Sequence, residues 1–145
     1  MLLAARGSAA KGDAVTTWTD VINYVRTRYE VLEDTGSWLR FQLECDGDRT
    51  QQVTLHHVPD LDGAEWLEIS SPVGRADSID LARLLELAGE STTIGGAAVV
   101  DGVALLKYTA PLEDLSVLQE FARPLELLVA RADTLEQELT SADEF

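Results

Sequence analysis

Residues 97–108 read AAVVDGVALLKY, and this stretch decides the fold. Two runs rich in valine, alanine and leucine flank the pair Asp101-Gly102. A tight two-residue hairpin turn needs a positive φ at both central positions, and Asp-Gly meets that requirement at little cost. The stretch therefore predicts a β-hairpin.

The middle of the chain alternates apolar and polar side chains, which is the two-residue period of half-buried strands. This period predicts strands over about residues 37–45, 51–58 and 65–71. The predicted connections are a turn at Asp46-Gly47-Asp48 and a longer loop from Pro59 to Gly63. Successive strands with such connections indicate an antiparallel meander. The inward phase of the three strands comprises Leu39, Phe41, Leu43, Cys45, Val53, Leu55, His57, Leu67 and Ile69.

A helix is predicted before the meander, over about residues 14–33, because its apolar residues recur at spacings of three and four. Asp13 is the predicted cap, and the helix is expected to end near Gly36, where a left-handed conformation is available to glycine. The apolar stripe of this helix is Trp18, Val21, Ile22, Val25, Tyr29 and Leu32.

A second helix is predicted over about residues 78–87, capped by Asp77 or Ser78 and ended by Gly89. Its predicted stripe is Ile79, Ala82, Leu85 and Ala88. Apolar residues surround much of this helix, which indicates that it needs cover on several sides. The residues concerned are Ile79, Leu81, Leu84, Leu85 and Leu87.

A third helix is predicted over about residues 116–139, where Ser116 and Gln119 have the spacing of a capping box. Pro124 lacks a backbone donor, so a kink is expected near Arg123. The predicted fold class is α+β, with the element order α-β-β-β-α-β-β-α and an antiparallel sheet packed against helices. The chain is divided into a flexible tail, one domain and an acidic end, over residues 1–12, 13–140 and 141–145.

The composition is strongly acidic, with 26 acidic against 11 basic residues and a net charge of −15. Nucleic acids and anionic membrane surfaces are polyanions, so neither is an expected partner. A basic segment of a partner protein would be attracted, and the alternative is that the acidity serves solubility alone. No apolar run is long enough to span a bilayer, and the apolar part of the first residues is too short for a secretory signal, so we expect a cytoplasmic protein.

The single cysteine, Cys45, excludes an internal disulfide and is expected to act as a small buried hydrophobe.

This order of elements resembles the type III secretion chaperone-like fold, which also contains the YbjN family of small acidic bacterial proteins. The residues that carry the resemblance are the hairpin 98–106, the closing helix 121–139 and, within that helix, Ala132-Asp133-Thr134-Leu135-Glu136. The resemblance covers about residues 13–140, and the Pro59–Gly63 loop departs from it. It implies a homodimer without a catalytic motif, and the secretion chaperones of this group hold an extended segment of a secreted protein. The preference for arginine over lysine is likewise typical of a GC-rich bacterial genome.

His56 and His57, followed by Asp60, Asp62 and Glu65, form the one candidate metal cluster of the sequence. Neighbouring residues of a strand point to opposite faces, so the two histidines are poorly placed to share an ion. The loop also fails as a calcium loop, because apolar residues fall at its first and last ligand positions. We therefore expect no metal.

Motifs for other chemistry are missing from the sequence as well. Gly95-Gly96 is not followed by the lysine of a phosphate-binding loop, and no serine lies in a nucleophile elbow. The sequence therefore predicts a protein that is not an enzyme and has no cofactor.

Trp38 and Trp66 are the predicted partner-binding residues, because both lie in the outward, polar phase of their strands. Tryptophan is enriched among interface anchors. The alternative is that a helix or a second subunit covers them. An exposed sheet edge offers a second surface, to which an extended peptide could add as a strand.

These features predict a protein-binding, chaperone-like module that is a homodimer. Its client is expected to be an extended amphipathic segment with some basic residues. The alternatives are a regulatory or small-ligand-binding domain of the same fold, and an enzyme or metal protein built on His56.

Overall fold

The computed structural model describes residues 16–90, 94–112 and 121–140. The predicted tail 1–12, the predicted acidic end 141–145, and the predicted caps at Asp13 and Ser116 lie outside these residues. The helices are α1 (Trp18–Arg28), α2 (Leu81–Glu90) and α3 (Arg123–Thr140). The strands are β1 (Glu30–Asp34), β2 (Trp38–Glu44), β3 (Thr50–Leu61), β4 (Ala64–Arg75), β5 (Gly96–Val100) and β6 (Val103–Pro111).

The six strands form one antiparallel sheet with the spatial order β1-β2-β3-β4-β6-β5. The fold class is α+β, as predicted, and the described part of the chain has the element order α-β-β-β-β-α-β-β-α. None of the described helices has the length and apolar content needed to cross a membrane.

The additional strand is β1, which replaces the last quarter of the first predicted helix. α1 ends at Arg28, and Tyr29 already has an extended backbone with φ −130° and ψ 162°. The spacing of Tyr29 and Leu32 fits a helix, but residues 30–34 instead pair with β2 and place Val31 opposite Phe41. Leu32 is left 39% exposed at the edge of the sheet. The predicted span 14–33 was therefore wrong from Tyr29 onward, because pairing with β2 satisfies these backbone groups without a helix.

α1 begins with a capping box that the sequence analysis did not identify. The Thr17 hydroxyl accepts a hydrogen bond from the Asp20 N–H at 3.1 Å, and the Asp20 carboxylate accepts one from the Thr17 N–H at 2.9 Å. Two backbone donors at the helix start are thereby satisfied. Trp18, Val21 and Val25 form the buried side of α1.

The predicted loop from Pro59 to Gly63 is mostly strand. β3 continues to Leu61, and a two-residue turn at Asp62 and Gly63, with φ values of 55° and 77°, leads into β4. A shift of register between Val58 and Leu61 takes up the irregularity around Pro59, which lacks a donor for the ladder. The turn has the same chemistry as Asp101-Gly102, whose φ values of 50° and 80° confirm the hairpin predicted there.

The core lies between one face of the sheet and the helices α1 and α3. Most predicted inward residues of β2, β3 and β4 are confirmed, with Leu39, Phe41, Val53 and Leu55 fully buried. His57 and Cys45, which follows β2, are only partly buried. The Phe41 ring also stacks on Tyr29, with 5.3 Å between ring centroids. The helices contribute Trp18, Val21, Val25, Phe121, Leu125, Leu128, Val129, Ala132 and Leu135 to the same cluster.

α2 differs from its prediction in start, cap and buried side. It begins at Leu81, and Asp80 caps it by accepting a hydrogen bond from the Arg83 N–H at 3.1 Å. Leu84 and Leu87 are buried, whereas Leu85 of the predicted stripe is 63% exposed. The four apolar positions of the predicted stripe suit the helical period, but the sheet contacts the neighbouring flank. Gly89, the predicted terminator, lies inside the helix.

α3 begins at Arg123, directly after a π-helical turn at Phe121 and Ala122. Pro124 lies in the first turn of the regular helix, where proline is tolerated. The position of the predicted kink, near Arg123, is where π geometry changes to α geometry, and the residues before Phe121 lie outside the described part of the chain.

Arg49, in the connection between β2 and β3, joins the sheet to α3. Its Nε donates to Asp133 Oδ1 at 2.9 Å, and its Nη2 lies 3.4 Å from Glu136 Oε1. The Asp133 side chain is 10% exposed, and the Glu136 side chain is completely buried. One guanidinium therefore neutralises charge that α3 buries against the sheet.

Candidate functional site: the open face of the sheet

The candidate site is the sheet face that points away from the helices. The core residues of all three helices cluster with the inward residues of the strands, so in the described part of the chain the outward residues have no helix over them. We call this surface the open face. It carries the outward residues of β2, β3, β4, β6 and β5.

A depression of about 420 Å³ lies in the open face. Its apolar lining is Trp38, Val100 and Leu105. Its polar lining is Arg40, Thr54, His56, Glu68, Ser70 and Lys107. The depression thus offers apolar walls and several polar groups to any molecule that occupies it.

Trp38, one of the two predicted partner-binding residues, forms one wall of the depression and is partly exposed. It lies opposite His56, which in turn lies opposite Glu68. Its backbone carbonyl accepts a hydrogen bond from the Thr35 N–H at 3.0 Å. The strand end that carries the indole is therefore fixed, and the ring is presented on a rigid element.

Trp66, the other predicted residue, lies on the same face but does not line the depression. It is opposite Val58 and Pro111, so β3 separates it from Trp38. Its indole Nε1 donates to the Leu61 carbonyl at 2.8 Å. This bond links the indole to the end of β3, next to the turn at Asp62 and Gly63, and a role of Trp66 in partner binding stays a prediction.

Charged groups of the depression are arranged around one carboxylate. Glu68 lies between Lys107, whose Nζ is 3.3 Å from Glu68 Oε2, and His56, whose Nδ1 is 3.8 Å from Glu68 Oε1. On the other side, Arg40 donates to Glu33 Oε1 at 2.7 Å and to Gln52 Oε1 at 3.1 Å. Three basic side chains and one acidic side chain therefore line the depression of a chain that is acidic as a whole.

The two histidines lie on opposite faces of β3, as expected from their adjacency. The His57 ring stacks on Trp18, with 5.2 Å between centroids and 8° between planes, and its Nε2 is 3.0 Å from Glu65 Oε2. His56 lies on the open face. Among the described residues no group of three or more histidine, cysteine or acidic side chains is placed to hold a metal ion. That the protein binds no metal stays a prediction.

No family model, curated protein or solved structure matches the chain. The resemblance to secretion chaperones therefore stays a prediction.

The two edges of the sheet differ in their protection. β1 carries Glu30, Glu33 and Asp34, and its register with β2 shifts between Val31 and Glu33. The pKa of the Asp34 carboxyl is lowered by hydrogen bonds, first from the Arg26 side chain and then from the backbone of residue 36, so this edge is charged at neutral pH. Charges and bulges of this kind discourage pairing with a further strand.

β5, at the other edge, contains no charged residue. Val99 and Val100 are 50% and 45% exposed. An uncharged and exposed edge can accept a further strand by backbone hydrogen bonding. It adjoins the depression, because Val100 belongs to both.

The sequence predicted the outward phase of both tryptophans, but the basic residues beside Trp38 were not predicted as part of the site. Arg40, His56 and Lys107 all lie in the outward phase of a predicted strand, which was a usable signal. Their proximity depends on the register of four strands, and periodicity alone does not give that register.

Proposed function

We propose that the chain is a non-enzymatic protein-binding, chaperone-like module of the bacterial cytoplasm, and that its open face holds an extended segment of a partner protein. One observation supports this most strongly: Trp38 forms a partly exposed wall of a depression on a sheet face that lacks a helix in the described residues. A large aromatic side chain on a rigid strand loses little conformational freedom on binding.

The uncharged edge of β5 supports an extended rather than a helical partner. Its backbone groups could hydrogen-bond a segment in strand conformation, and Val100 and Leu105 carry the apolar surface from this edge into the depression. The net charge of −15 would attract a segment with a net positive charge from a distance. Once the segment is bound, the side chains of the open face determine which side chains of the segment are accommodated.

A small-ligand-binding domain is the second candidate, because about 420 Å³ lies within the usual range of ligand pockets. Such pockets enclose most of their ligand, whereas this depression lies on an open sheet face. We therefore rank a peptide segment first.

Replacing Trp38 with alanine is expected to raise the dissociation rate of a bound segment about 30-fold, which corresponds to roughly 2 kcal/mol for an anchor residue. The thermal stability should change little, because the ring is partly exposed. The measurement is surface plasmon resonance with a peptide selected from a library of short extended segments. Trp66→Ala is the matched control, since it should lower the melting temperature through the lost bond to Leu61 and leave dissociation unaltered. An unchanged dissociation rate in Trp38→Ala would remove the open face from the proposal.

We further propose a homodimer, which the exposed side chains of α2 support. Leu81 and Leu85 are 37% and 63% exposed and lie one turn apart on the helix. Analytical ultracentrifugation at micromolar concentration should give about twice the chain mass of 15.8 kDa. The double variant Leu81→Gln/Leu85→Gln should sediment as a monomer if α2 lies in the interface. A monomeric parent protein would contradict the proposal.

A further inference from the structure

One row of side chains crosses the open face from β2 to β6. Arg40 is opposite Thr54, Thr54 is opposite Ser70, and Ser70 is opposite Lys107. All four residues line the depression. Neighbouring strands lie about 4.8 Å apart, so the row is roughly 14 Å wide, with two hydroxyls between two cations.

The two hydroxyl groups at the centre of the row are available to a ligand. In the described residues the Thr54 and Ser70 side chains make no hydrogen bond, and both residues are partly exposed. Each hydroxyl has a proton to donate. All four side chains of the row can therefore donate a hydrogen bond to the same region of the depression.

The cations at the two ends are held by ion pairs that a ligand could displace. Lys107 pairs with Glu68 at 3.3 Å, with the two side chains 38% and 27% exposed. Arg40 pairs with Glu33 at 2.7 Å, and both of these side chains are more than a third exposed. Such exposed pairs contribute little stability, typically below about 1 kcal/mol. A carboxylate that also accepts hydrogen bonds from the two hydroxyls would compete with them.

We propose that this row is an anion-binding site that receives the carboxylate of one aspartate or glutamate residue in the extended partner segment. This inference rests on the proposed function and adds the chemistry of the partner. An apolar residue two positions from the acidic one points to the same side of the extended segment and packs against Trp38 or Leu105, which form walls of the same depression. The remainder of the segment is neutral or basic, because the net charge of −15 repels a segment with many acidic residues.

A peptide carboxylate fits the site better than a free small anion. The row lies on an open face, where a small anion keeps most of its contact with water and gains little from binding. A segment attached to the carboxylate adds contacts along the strands and so raises the affinity. The charged row thus determines where the acidic residue of the partner segment binds, and apolar contacts supply most of the affinity.

The test is a selection from a library of extended peptides with blocked termini, followed by titration of the selected peptide and of its variant with glutamine in place of the acidic residue. We expect one enriched acidic position, and about tenfold weaker binding of the glutamine peptide. In the protein, Arg40→Gln or Lys107→Gln should weaken the acidic peptide by a similar factor and leave the glutamine peptide unaffected. Arg83→Gln is the matched control, since it makes the same change in net charge at an exposed position on α2.

The outcomes separate this inference from the proposed function. If the selected peptides require Trp38 but show no preference for an acidic residue, or prefer a basic residue, the anion site is overturned and the protein-binding function is retained. Succinate that binds as tightly as the acidic peptide overturns the peptide as occupant. A library from which no peptide is selected contradicts both proposals. Circular dichroism of each variant confirms that the row has been changed without unfolding the sheet.

Discussion

Phe41→Ala is expected to lower the free energy of unfolding by about 3–5 kcal/mol, because the ring is fully buried and its removal leaves a cavity in a close-packed core. Phe41 lies at the centre of β2 and stacks on Tyr29. Urea denaturation, monitored by circular dichroism, gives the change in the free energy of unfolding from the shift of the transition midpoint at unchanged slope. The loss would be a large share of the free energy of unfolding, which is usually about 5–15 kcal/mol for a domain.

Leu32→Ala provides the control for this measurement. It removes an apolar side chain from the neighbouring strand, where Leu32 is already 39% exposed, and should cost less than about 1 kcal/mol. A loss below about 1 kcal/mol for Phe41→Ala itself would show that the inward phase of β2 is wrong.

Arg49→Met is expected to cost about 3–5 kcal/mol, for electrostatic rather than packing reasons. Methionine keeps much of the aliphatic chain but leaves Asp133 and Glu136 without the guanidinium that both contact. The Glu136 side chain is completely buried, so water cannot replace the lost partner without opening the structure. The same denaturation experiment measures the effect.

A second background distinguishes lost charge compensation from lost packing around Arg49. In the double variant Asp133→Asn/Glu136→Gln the two carboxylates are neutral, and adding Arg49→Met should cost much less than in the parent protein. Arg83→Met, which disturbs a surface pair with Glu86, should cost less than about 1 kcal/mol. Equal losses from Arg49→Met in both backgrounds would refute the electrostatic account.

The inward phase of the strands was predictable because each strand is buried on one side. A slip of one residue would place Phe41 and Val53 in water, so the hydrophobic pattern determines the phase strongly. The Asp101-Gly102 hairpin was predictable from two residues, because few other pairs adopt both positive φ values readily.

β1 and the β3–β4 turn were missed for identifiable reasons. The pattern of residues 29–32 suits a helix as well as a strand, and only pairing with β2 decides between them. Pro59 favours a loop, so the whole segment from Pro59 to Gly63 was predicted as one. Asp62-Gly63 within it has the same turn chemistry as Asp101-Gly102.

The anion row and the Arg49 contacts lay beyond sequence reasoning. Arg49 and Asp133 are 84 residues apart, and nothing in the local pattern of either residue indicates the other. The four residues of the row meet only because three separate strand registers align them. Local patterns report which face a residue occupies, and long-range pairing decides its neighbours.

The order of strands in the sheet also has a kinetic consequence. β1 to β4 pair with their neighbours in sequence, whereas the other neighbour of β4 is β6. Contacts between residues close in sequence form with a small loss of chain entropy, so we expect the four-stranded meander to form first. During synthesis on the ribosome, one edge of β4 then stays unpaired until α2, β5 and β6 have been synthesised. Rapid closure of the Asp101-Gly102 turn shortens that period, and with it the time during which two nascent chains can join through β4.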